Sequence, residues 1–379
     1  MSRPAIAHIR LDAFRHNYRM AKTIHGGKSL AVIKANAYGH GAVQCAKAIE
    51  NVADGFAVAC LEEALQLREA GIKPPILLLE GFFEAAELPE IAANNLWMVI
   101  HATWQIDLLL AATLVKPIQV WLKLDSGMHR VGLSASQYAS AYAQLYQHKN
   151  VSKIVCMSHF ANADNLKSAH TKQQIAVFQQ TIQGLSVDET GLAEISLANS
   201  AAILGWPQAY SNWSRPGIML YGANPLDAQS INQHATGKFN LLIMGALRPV
   251  MQLTSTIIAM RKITKGESIG YGSLFTAQRE TTVGVVACGY ADGYPRCASN
   301  ELKAAPAAVD GVMTRVIGRV SMDMLFVDLT DIASAKIGSS VELWGDKVLA
   351  NDVATAAGTI AYELFCNVKR VQFRYTDPH

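Results

Sequence analysis

The sequence contains no hydrophobic segment long enough to suggest a membrane protein. No stretch of its 379 residues approaches the roughly 18 consecutive apolar residues that a bilayer-spanning helix requires. The opening residues, MSRPAIAHIRLDAF, have no apolar core of signal-peptide length. We therefore expect a protein that is neither secreted nor inserted in a membrane.

Cysteine is also scarce and scattered. The six cysteines form no CxxC pair, which argues against a disulfide framework and against a zinc knuckle. Charge is balanced, because 33 basic residues face 30 acidic ones, and no basic run is interleaved with aromatic residues. These absences predict a cytoplasmic protein without a structural metal and without a nucleic-acid partner.

Short apolar runs at regular spacing are what the first part of the chain does have. Eight runs separated by helix-like segments such as LEEALQLREAG predict a (β/α)8 barrel, with an open doubly wound sheet as the alternative. The predicted strands cover residues 30–34, 55–60, 76–81, 97–101, 119–125, 153–160, 194–199 and 215–220.

The pattern changes after about Asn240. Alternating segments with glycine turns, such as TTVGVVACGYADGYP, predict a mostly antiparallel β-rich C-terminal domain with one helix, DVATAAGTIAYELFCN, near its end. The opening AIAHIRL alternates in the same way, so this first strand is a candidate member of that second domain. We expect a barrel domain over residues 1–238 and a β domain over residues 239–379.

Reactive side chains fall at the predicted carboxyl ends of the barrel strands, where such barrels build their active sites. A lysine in a partly apolar site can attack a carbonyl as a neutral amine, although a lone strand-end lysine also commonly extends to solvent. Hydroxyl and backbone N–H groups after the last two strands suggest a phosphate site. Together they favour pyridoxal phosphate. The residues concerned are Lys34, Tyr38, Lys123, Arg130, His159, Asn199, Ser200, Arg215, Gly217 and Ile218.

Eight motifs, in order and spread over nearly the whole chain, resemble those of bacterial alanine racemases. They are AVIKANAYGHG, VWLKLDSGMHRVG, MSHFANAD, LANSAAIL, RPGIMLYG, GYADGYPR, GRVSMDMLFVD and TIAYEL. The resemblance implies a homodimer that depends on pyridoxal phosphate and interconverts L-alanine and D-alanine, either for peptidoglycan synthesis or for alanine catabolism. The ending CNVKRVQFRY keeps little of the family's usual tail, which leaves the packing of the tail open.

By this resemblance, Lys34 holds the cofactor and acts as the base on one face of the substrate. Racemisation needs a second acid on the opposite face, since one group returning the proton where it took it would preserve configuration. Tyr271, in SIGYGSLF, matches the family's second base, which comes from the partner subunit. A tyrosine that merely packs in a turn is the alternative reading of Tyr271.

The resemblance also assigns cofactor and substrate contacts. Arg215 matches the arginine at the pyridine nitrogen, and His159 the histidine beside it. Arg130 matches the arginine that reaches the cofactor and the substrate carboxylate. Lys123 matches a lysine that carbon dioxide carbamylates in many members, which the sequence does not decide. Phosphate contacts are implied for Tyr38, Ser200, Gly217, Ile218 and Tyr362, a substrate contact from the partner for Met322, and access-channel positions for Tyr290 and Asp323.

Two other functions are alternatives to racemisation. A fold-related amino-acid decarboxylase is expected to carry an acidic residue where this sequence has Arg215. A non-enzymatic, single-barrel cofactor-binding protein would lack the β domain with Tyr271 and Met322. The sequence leaves open the breadth towards serine or other amino acids, the strength of the dimer, and the choice between a biosynthetic and a catabolic role.

Overall fold

A computed structural model shows a closed barrel of eight parallel strands. The structure describes residues 3–183, 185, 193–227, 230, 246–299 and 303–377. The strands of the barrel are β2 (Lys28–Val32), β3 (Gly55–Val58), β4 (Ile76–Leu78), β5 (Leu96–Ile100), β6 (Ile118–Lys123), β7 (Val151–Met157), β8 (Glu194–Asn199) and β9 (Trp213–Arg215). Closure confirms the predicted barrel and excludes the open sheet.

Helices follow the strands and cover the barrel. Their apolar faces pack on the strands, whose own residues are almost all buried, as a parallel sheet covered by helices requires. They are α1 (Leu11–His25), α3 (Ala42–Ile49), α4 (Leu61–Glu69), α5 (Leu88–Ala93), α6 (Thr103–Ala111), α7 (Ala135–Leu145), α8 (Ala169–Ile182) and α9 (Ser200–Gly205). The short segment α2 (Lys34–Tyr38) is a left-handed turn.

The eighth strand is shorter and earlier than its sequence predicted. It ends at Arg215, and Ile218–Tyr221 forms a 3₁₀ turn instead of continuing the strand. Pro216 explains the end, because proline has no N–H for the strand ladder. Residues 217 and 218 therefore lie in a turn above the barrel, with their backbone N–H groups free of strand pairing.

Three tryptophans pack together inside the barrel, towards the amino ends of its strands. The rings of Trp97, Trp121 and Trp213 lie 5.5–6.2 Å apart, and the indole N–H of Trp213 donates to Glu194 at 2.7 Å. Lys28 lies 4.9 Å above the Trp213 ring. Packed aromatic rings at the amino ends of the strands leave the carboxyl ends as the mouth for chemistry.

A second, mostly antiparallel sheet of eight strands follows, which confirms the predicted β-rich domain. Strand β1 (Ile6–Arg10) lies inside it, antiparallel to β10 and parallel to β18. The later strands are β10 (Met251–Ile263), β13 (Thr281–Val286), β14 (Pro306–Val309), β15 (Val312–Ile317), β16 (Leu325–Asp328), β17 (Ser340–Trp344) and β18 (Gln372–Thr376), with a separate small hairpin of β11 (Ser268–Ile269) and β12 (Phe275–Thr276).

The terminal helix is interrupted, contrary to the single helix predicted. The structure has α10 (Ala350–Ala357) and α11 (Ala361–Asn367), separated at Gly358, whose φ of 72° ends the first helix. Such a left-handed glycine is the usual end of a helix. The break turns α11 towards the barrel mouth, where it contacts α2.

Two further expectations from the sequence concern membrane spans and the limits of the two domains. Among the described residues, no helix is both long and apolar enough to pass through a bilayer. The predicted boundary between residues 238 and 239 lies outside the described residues, so the domain limits stay a prediction.

Candidate active site at the barrel mouth

The residues predicted from the strand ends gather at one mouth. Lys123, Asn199 and Arg215 are the last residues of β6, β8 and β9. Lys34 and His159 lie two residues beyond β2 and β7, so the predicted strand ends were slightly too long there. The barrel therefore brings together side chains that are far apart in sequence.

The turn after Lys34 has an unusual backbone. Residues 35–38 all have φ between 50° and 53°, a left-handed conformation that costs about 1–2 kcal/mol per residue outside glycine. Buried hydrogen bonds hold it, because Nδ1 of His40 lies 3.1 Å and 2.9 Å from the carbonyl oxygens of Ala37 and Tyr38. A Cβ on Gly39 would lie 2.2 Å from the Phe365 carbonyl, so α11 packs directly on the turn.

Lys34 is half-buried at the start of this turn. Within the described part of the chain, its amine makes no hydrogen bond or ion pair. Its positive charge helps to lower the pKa of His159 and the pKa of Lys123. The amine is therefore held near the other cations while remaining available to a ligand.

Four positive groups surround His159. Burial, together with the charges of Arg215, Lys123, Arg130 and Lys34, lowers the pKa of His159 well below its usual value. Burial and the neighbouring Arg130 and Arg215 lower the pKa of Lys123 to about 8. A mouth with this excess of positive charge is suited to an anionic ligand.

Arg215 is buried and bonded only to neutral oxygens. Its guanidinium donates to the Ser196 hydroxyl, to the Ser158 carbonyl at 2.6 Å and to the Leu197 carbonyl at 3.3 Å. Burial lowers its pKa to about 10, which leaves it charged at neutral pH. No carboxylate pairs with Arg215 in the portion of the chain that the structure describes.

A cup of hydroxyl and backbone donors lies beside the cations. The Gly217 N–H donates to the Ser200 hydroxyl at 2.8 Å, and the Asn199 side chain caps α9 by accepting from Ala202 N at 3.0 Å. A Cβ on Gly217 would lie 2.7 Å from the Tyr38 hydroxyl. Only a glycine leaves this close approach unchanged, so the cup is shaped by the absence of a side chain.

Two tyrosines and one isoleucine complete the cup. The rings of Tyr38 and Tyr362 lie 5.8 Å apart. Burial raises the pKa of Tyr362 to about 12 and that of Tyr38 further, so both phenols stay neutral donors. Ile218 is buried in the 3₁₀ turn. These donors and the neighbouring cations suit a phosphate. The Lys34 amine at the same mouth suits an amine-reactive group, so one ligand that carries both groups would fit here.

Arg130, Tyr271 and Met322 are exposed. Arg130 lies on the loop after β6, and its positive charge helps to lower the pKa of Lys123. Tyr271 and Met322, with exposed fractions of 69% and 54%, lie on loops of the second sheet. No described hydrogen bond, ion pair or ring contact joins either of them to the barrel mouth of the same chain.

Sequence reasoning places Asp125 at the end of the fifth predicted strand but assigns no role to it or to Ser196, and both orient these residues. Asp125 accepts from the backbone N–H of Gly127 and of His129, both at 3.0 Å, and so shapes the loop that carries Arg130. Ser196 accepts from Arg215. The two-residue alternation of EISLAN, which points Ser196 to the same face as Ala198, could have suggested the second of these.

A closed barrel with a free amine, a buried arginine and a phosphate cup defines an enzyme class that does amine chemistry on an anionic ligand. The chain belongs to the alanine racemase family, since residues 9–225 match its N-terminal domain and residues 250–375 its C-terminal domain.

Relatives cover the whole chain. A protein of Pseudomonas putida described as "Alanine racemase, catabolic" is 56% identical over 98% of this chain and 99% of its own. The crystal structure of the biosynthetic alanine racemase of Pseudomonas aeruginosa is 44% identical, with a TM-score of 0.90 and 99% of both chains covered. That of Bartonella henselae, with covalently bound pyridoxal phosphate, is 28% identical, with a TM-score of 0.83 over 98% of this chain and 99% of the other.

Proposed function

We propose that this protein is an alanine racemase, an isomerase that interconverts L-alanine and D-alanine with pyridoxal phosphate as its cofactor. Family membership over the whole chain supports the activity, and the Bartonella henselae structure supports the cofactor. The observation that carries the proposal is the free Lys34 amine at the same barrel mouth as a buried Arg215 without a carboxylate partner among the described residues.

The cofactor fits the cup described above. Tyr38, Ser200, Gly217, Ile218 and Tyr362 would hold its phosphate through hydroxyl and backbone N–H groups, with Asn199 fixing the helix start that carries Ser200. Lys34 would bind its aldehyde with loss of water until the amino group of the substrate takes its place, which would free the Lys34 amine to act as a base. Bound pyridoxal phosphate withdraws electrons from the α carbon of an attached amino acid and makes its α proton acidic.

Two bases then act on opposite faces of the substrate. The Lys34 amine takes or returns the α proton on one face, and the Tyr271 phenol does so on the other. Inversion needs both, because a single base would return the proton to the face from which it came. The proton that leaves one face and the proton that arrives on the other keep the substrate's composition unchanged.

Arg215 limits the reaction to proton transfer. A guanidinium with a pKa of about 10 is charged at neutral pH and donates hydrogen bonds without accepting a proton. If it faces the ring nitrogen of the bound cofactor, Arg215 would leave that nitrogen unprotonated and would restrain the withdrawal of electrons that decarboxylation or amino-group transfer needs. His159, whose pKa is lowered by the same cations, stays neutral beside it.

The substrate carboxylate would be bound by Arg130 and by the backbone N–H of Met322. Lys123 lies beside Arg130 and repels it while both are cations. Carbamylation would join the neutral Lys123 nitrogen to the carbon of carbon dioxide with release of one proton. Together with the proton that the ammonium group loses first, this replaces the cation by an anion. With a pKa of about 8, Lys123 has the neutral amine that this reaction needs.

Tyr271 and Met322 would serve the barrel mouth of a partner subunit in a homodimer. Their exposure, and that of Tyr290 and Met324 on neighbouring loops, supports this, because large apolar side chains gathered at a surface favour an interface. A racemase site completed in this way is inactive in a lone subunit.

Mixing two inactive variants tests the shared site. Lys34→Ala and Tyr271→Phe subunits that exchange freely form mixed dimers, in which one of the two sites has both native bases. About a quarter of the native activity should return, since half the dimers are mixed and each has one native site. No recovery despite mixed dimers confirmed by mass would contradict a shared site.

Tyr271 and Tyr362 would crowd the space beside the substrate side chain. This favours the methyl group of alanine over a longer side chain. Serine adds only one hydroxyl, which an apolar pocket rejects poorly. In the cell we propose a cytoplasmic enzyme that supplies D-alanine for peptidoglycan or opens alanine catabolism. A deletion strain that requires D-alanine would establish the first role, and one that fails to grow on D-alanine would establish the second.

The deciding experiment is incubation with L-alanine and pyridoxal phosphate in heavy water, followed by chiral separation and mass analysis. D-alanine with deuterium at the α carbon is expected. Carbon dioxide and ethylamine would instead identify a decarboxylase. Absence of any exchange, with the lysine-bound cofactor visible by absorbance, would restrict the protein to another amino acid or to cofactor binding. The same assay with serine and lysine ranks substrates.

A further inference from the structure

Two loops of the second domain are bound together as one unit. We call them the Tyr290 turn (residues 289–293) and the Met322 loop (residues 321–324). The Tyr290 N–H donates to the Ser321 carbonyl at 3.0 Å, and the Ala291 N–H donates to the Met322 carbonyl at 2.9 Å. Any movement of one loop therefore moves the other.

The two backbones are in direct contact. A Cβ at Gly289 would lie 2.3 Å from the Met322 carbonyl oxygen and 2.4 Å from that of Ser321. Backbone atoms cannot yield as a flexible side chain would, so glycine is required here for the two loops to touch.

A buried carboxylate fixes the Tyr290 turn. Asp292 is fully buried, and its Oδ2 accepts from the Gly289 N–H at 3.0 Å and from Nη2 of Arg3 at 2.5 Å. Its carbonyl accepts from Lys369 N at 3.0 Å. Because a buried carboxylate is costly without a cation, the arginine is part of what keeps the turn closed.

Arg3 also holds the Met322 loop. Its Nη2 donates to the Asp323 carbonyl at 3.2 Å, and its Nη1 lies 3.6 Å from the Asp323 carboxylate. One guanidinium thus spans both loops, with a buried carboxylate on one side and a half-exposed one on the other.

The C-terminal end of the chain supports the same unit. Nη2 of Arg370 donates to the Asp323 carboxylate at 2.9 Å, and its Nε lies 3.9 Å from Oδ1 of Asp292. Two arginines from opposite ends of the sequence therefore surround two aspartates, one from each loop.

We propose that Arg3, through Asp292 and Asp323, is a positioning residue for the substrate carboxylate. It does not touch the substrate. It fixes the Met322 loop, whose backbone N–H binds the carboxylate in the proposed function, on which this inference rests. Without the guanidinium, Asp292 loses its closest cation and the loop loses the bond to the Asp323 carbonyl.

Removal of the Arg3 side chain is tested against a matched arginine. Arg10 has a similar exposed side chain, 30% against 31% for Arg3, and it pairs with Asp346. We expect Arg3→Ala to raise KM for L-alanine about tenfold and to leave kcat within about twofold of the native value. A change of this size corresponds to the loss of one charge-assisted hydrogen bond. Arg10→Ala should leave KM unchanged, and Arg3→Lys should recover much of the loss.

Propionate tests the same point without turnover, because it has the carboxylate of alanine and no amine. Its Kd, followed through the absorbance of the bound cofactor, should rise in Arg3→Ala in parallel with KM and stay at the native value in Arg10→Ala. This readout stands even where the native protein does not racemise alanine, which would overturn the proposed function alone.

Three results would overturn the positioning role. They are an unchanged KM and propionate Kd in Arg3→Ala, an equal rise of both in Arg10→Ala, and a fall confined to kcat. Thermal unfolding of both variants separates general destabilisation from a local effect, since a change in Tm without a change in Kd counts against the proposal.

Discussion

The hydroxyl of Tyr38 occupies the place where a side chain on Gly217 would begin, 2.7 Å from the position of its Cβ. This close approach leaves no room for a side chain at position 217. The approach joins the turn after Lys34 to the turn after β9, the two segments that the phosphate would bridge.

Gly217→Ala should therefore weaken pyridoxal phosphate binding by about tenfold or more, because either the hydroxyl or the turn must move. The cofactor Kd, measured by absorbance titration, checks this. In a Tyr38→Phe background the same change should cost less, since the nearest remaining atom would be Cζ at 3.5 Å. Equal losses in both backgrounds would show that the contact does not matter.

Tyr271→Phe should remove one of the two bases and leave the cofactor in place. We expect the conversion of L-alanine to fall about 10³-fold, within the range for a lost acid or base, with cofactor Kd nearly unchanged. The enantiomer whose α proton faces Lys34 should still exchange that proton in heavy water, because Lys34 can return deuterium to the same face. Tyr146→Phe, just after the end of α7, is the control, and native activity in Tyr271→Phe would refute the two-base assignment.

Lys123 should make activity depend on carbon dioxide. Burial and its two arginine neighbours hold its pKa at about 8, so about a tenth of the amine is neutral at pH 7. Activity should fall in buffer purged of carbon dioxide and return with bicarbonate. Labelled bicarbonate should give a carbamate carbon signal in the native protein and none in Lys123→Met. A native protein without that signal would contradict the modification.

His40 should make stability sensitive to acid. Burial lowers its pKa from 6.5 to about 4, so the unfolded chain binds a proton between these values and the folded one does not. The free energy of unfolding should therefore be unaffected above pH 6.5 and fall by about 3 kcal/mol from this group as the pH drops to about 4. His40→Phe should show a shallower loss in urea titrations across this window; the same slope would exclude His40 as its source.

Regular spacing made the barrel predictable, whereas the geometry at its mouth was not. Apolar runs such as GFAVAC predict buried strands because burial on both faces needs continuous apolar sequence. The left-handed turn at residues 35–38 has no such signal. Alanine there favours other backbone angles, and contacts with residues such as Glu63, His40 and Phe365 hold this one.

Contacts between residues that are far apart in the sequence could not be predicted, for the same reason. Arg3 and Asp292 meet in the fold, but no local pattern marks either as the partner of the other. The break at Gly358 is different, because a glycine after an alanine-rich helix is a readable stop that the sequence analysis passed over. The strand ending at Arg215 was readable from Pro216 for the same reason.

The first strand of the protein has consequences for how the chain is made. On the ribosome, β1 emerges before the barrel, yet Ile6 pairs with Thr254 on one side and with Gln372 on the other. The barrel can close during synthesis while β1 waits as an unpaired strand with exposed ladder groups. Synthesis of β18 is what completes its second edge, so messages truncated just before β18 should yield chains that aggregate although their barrels are intact.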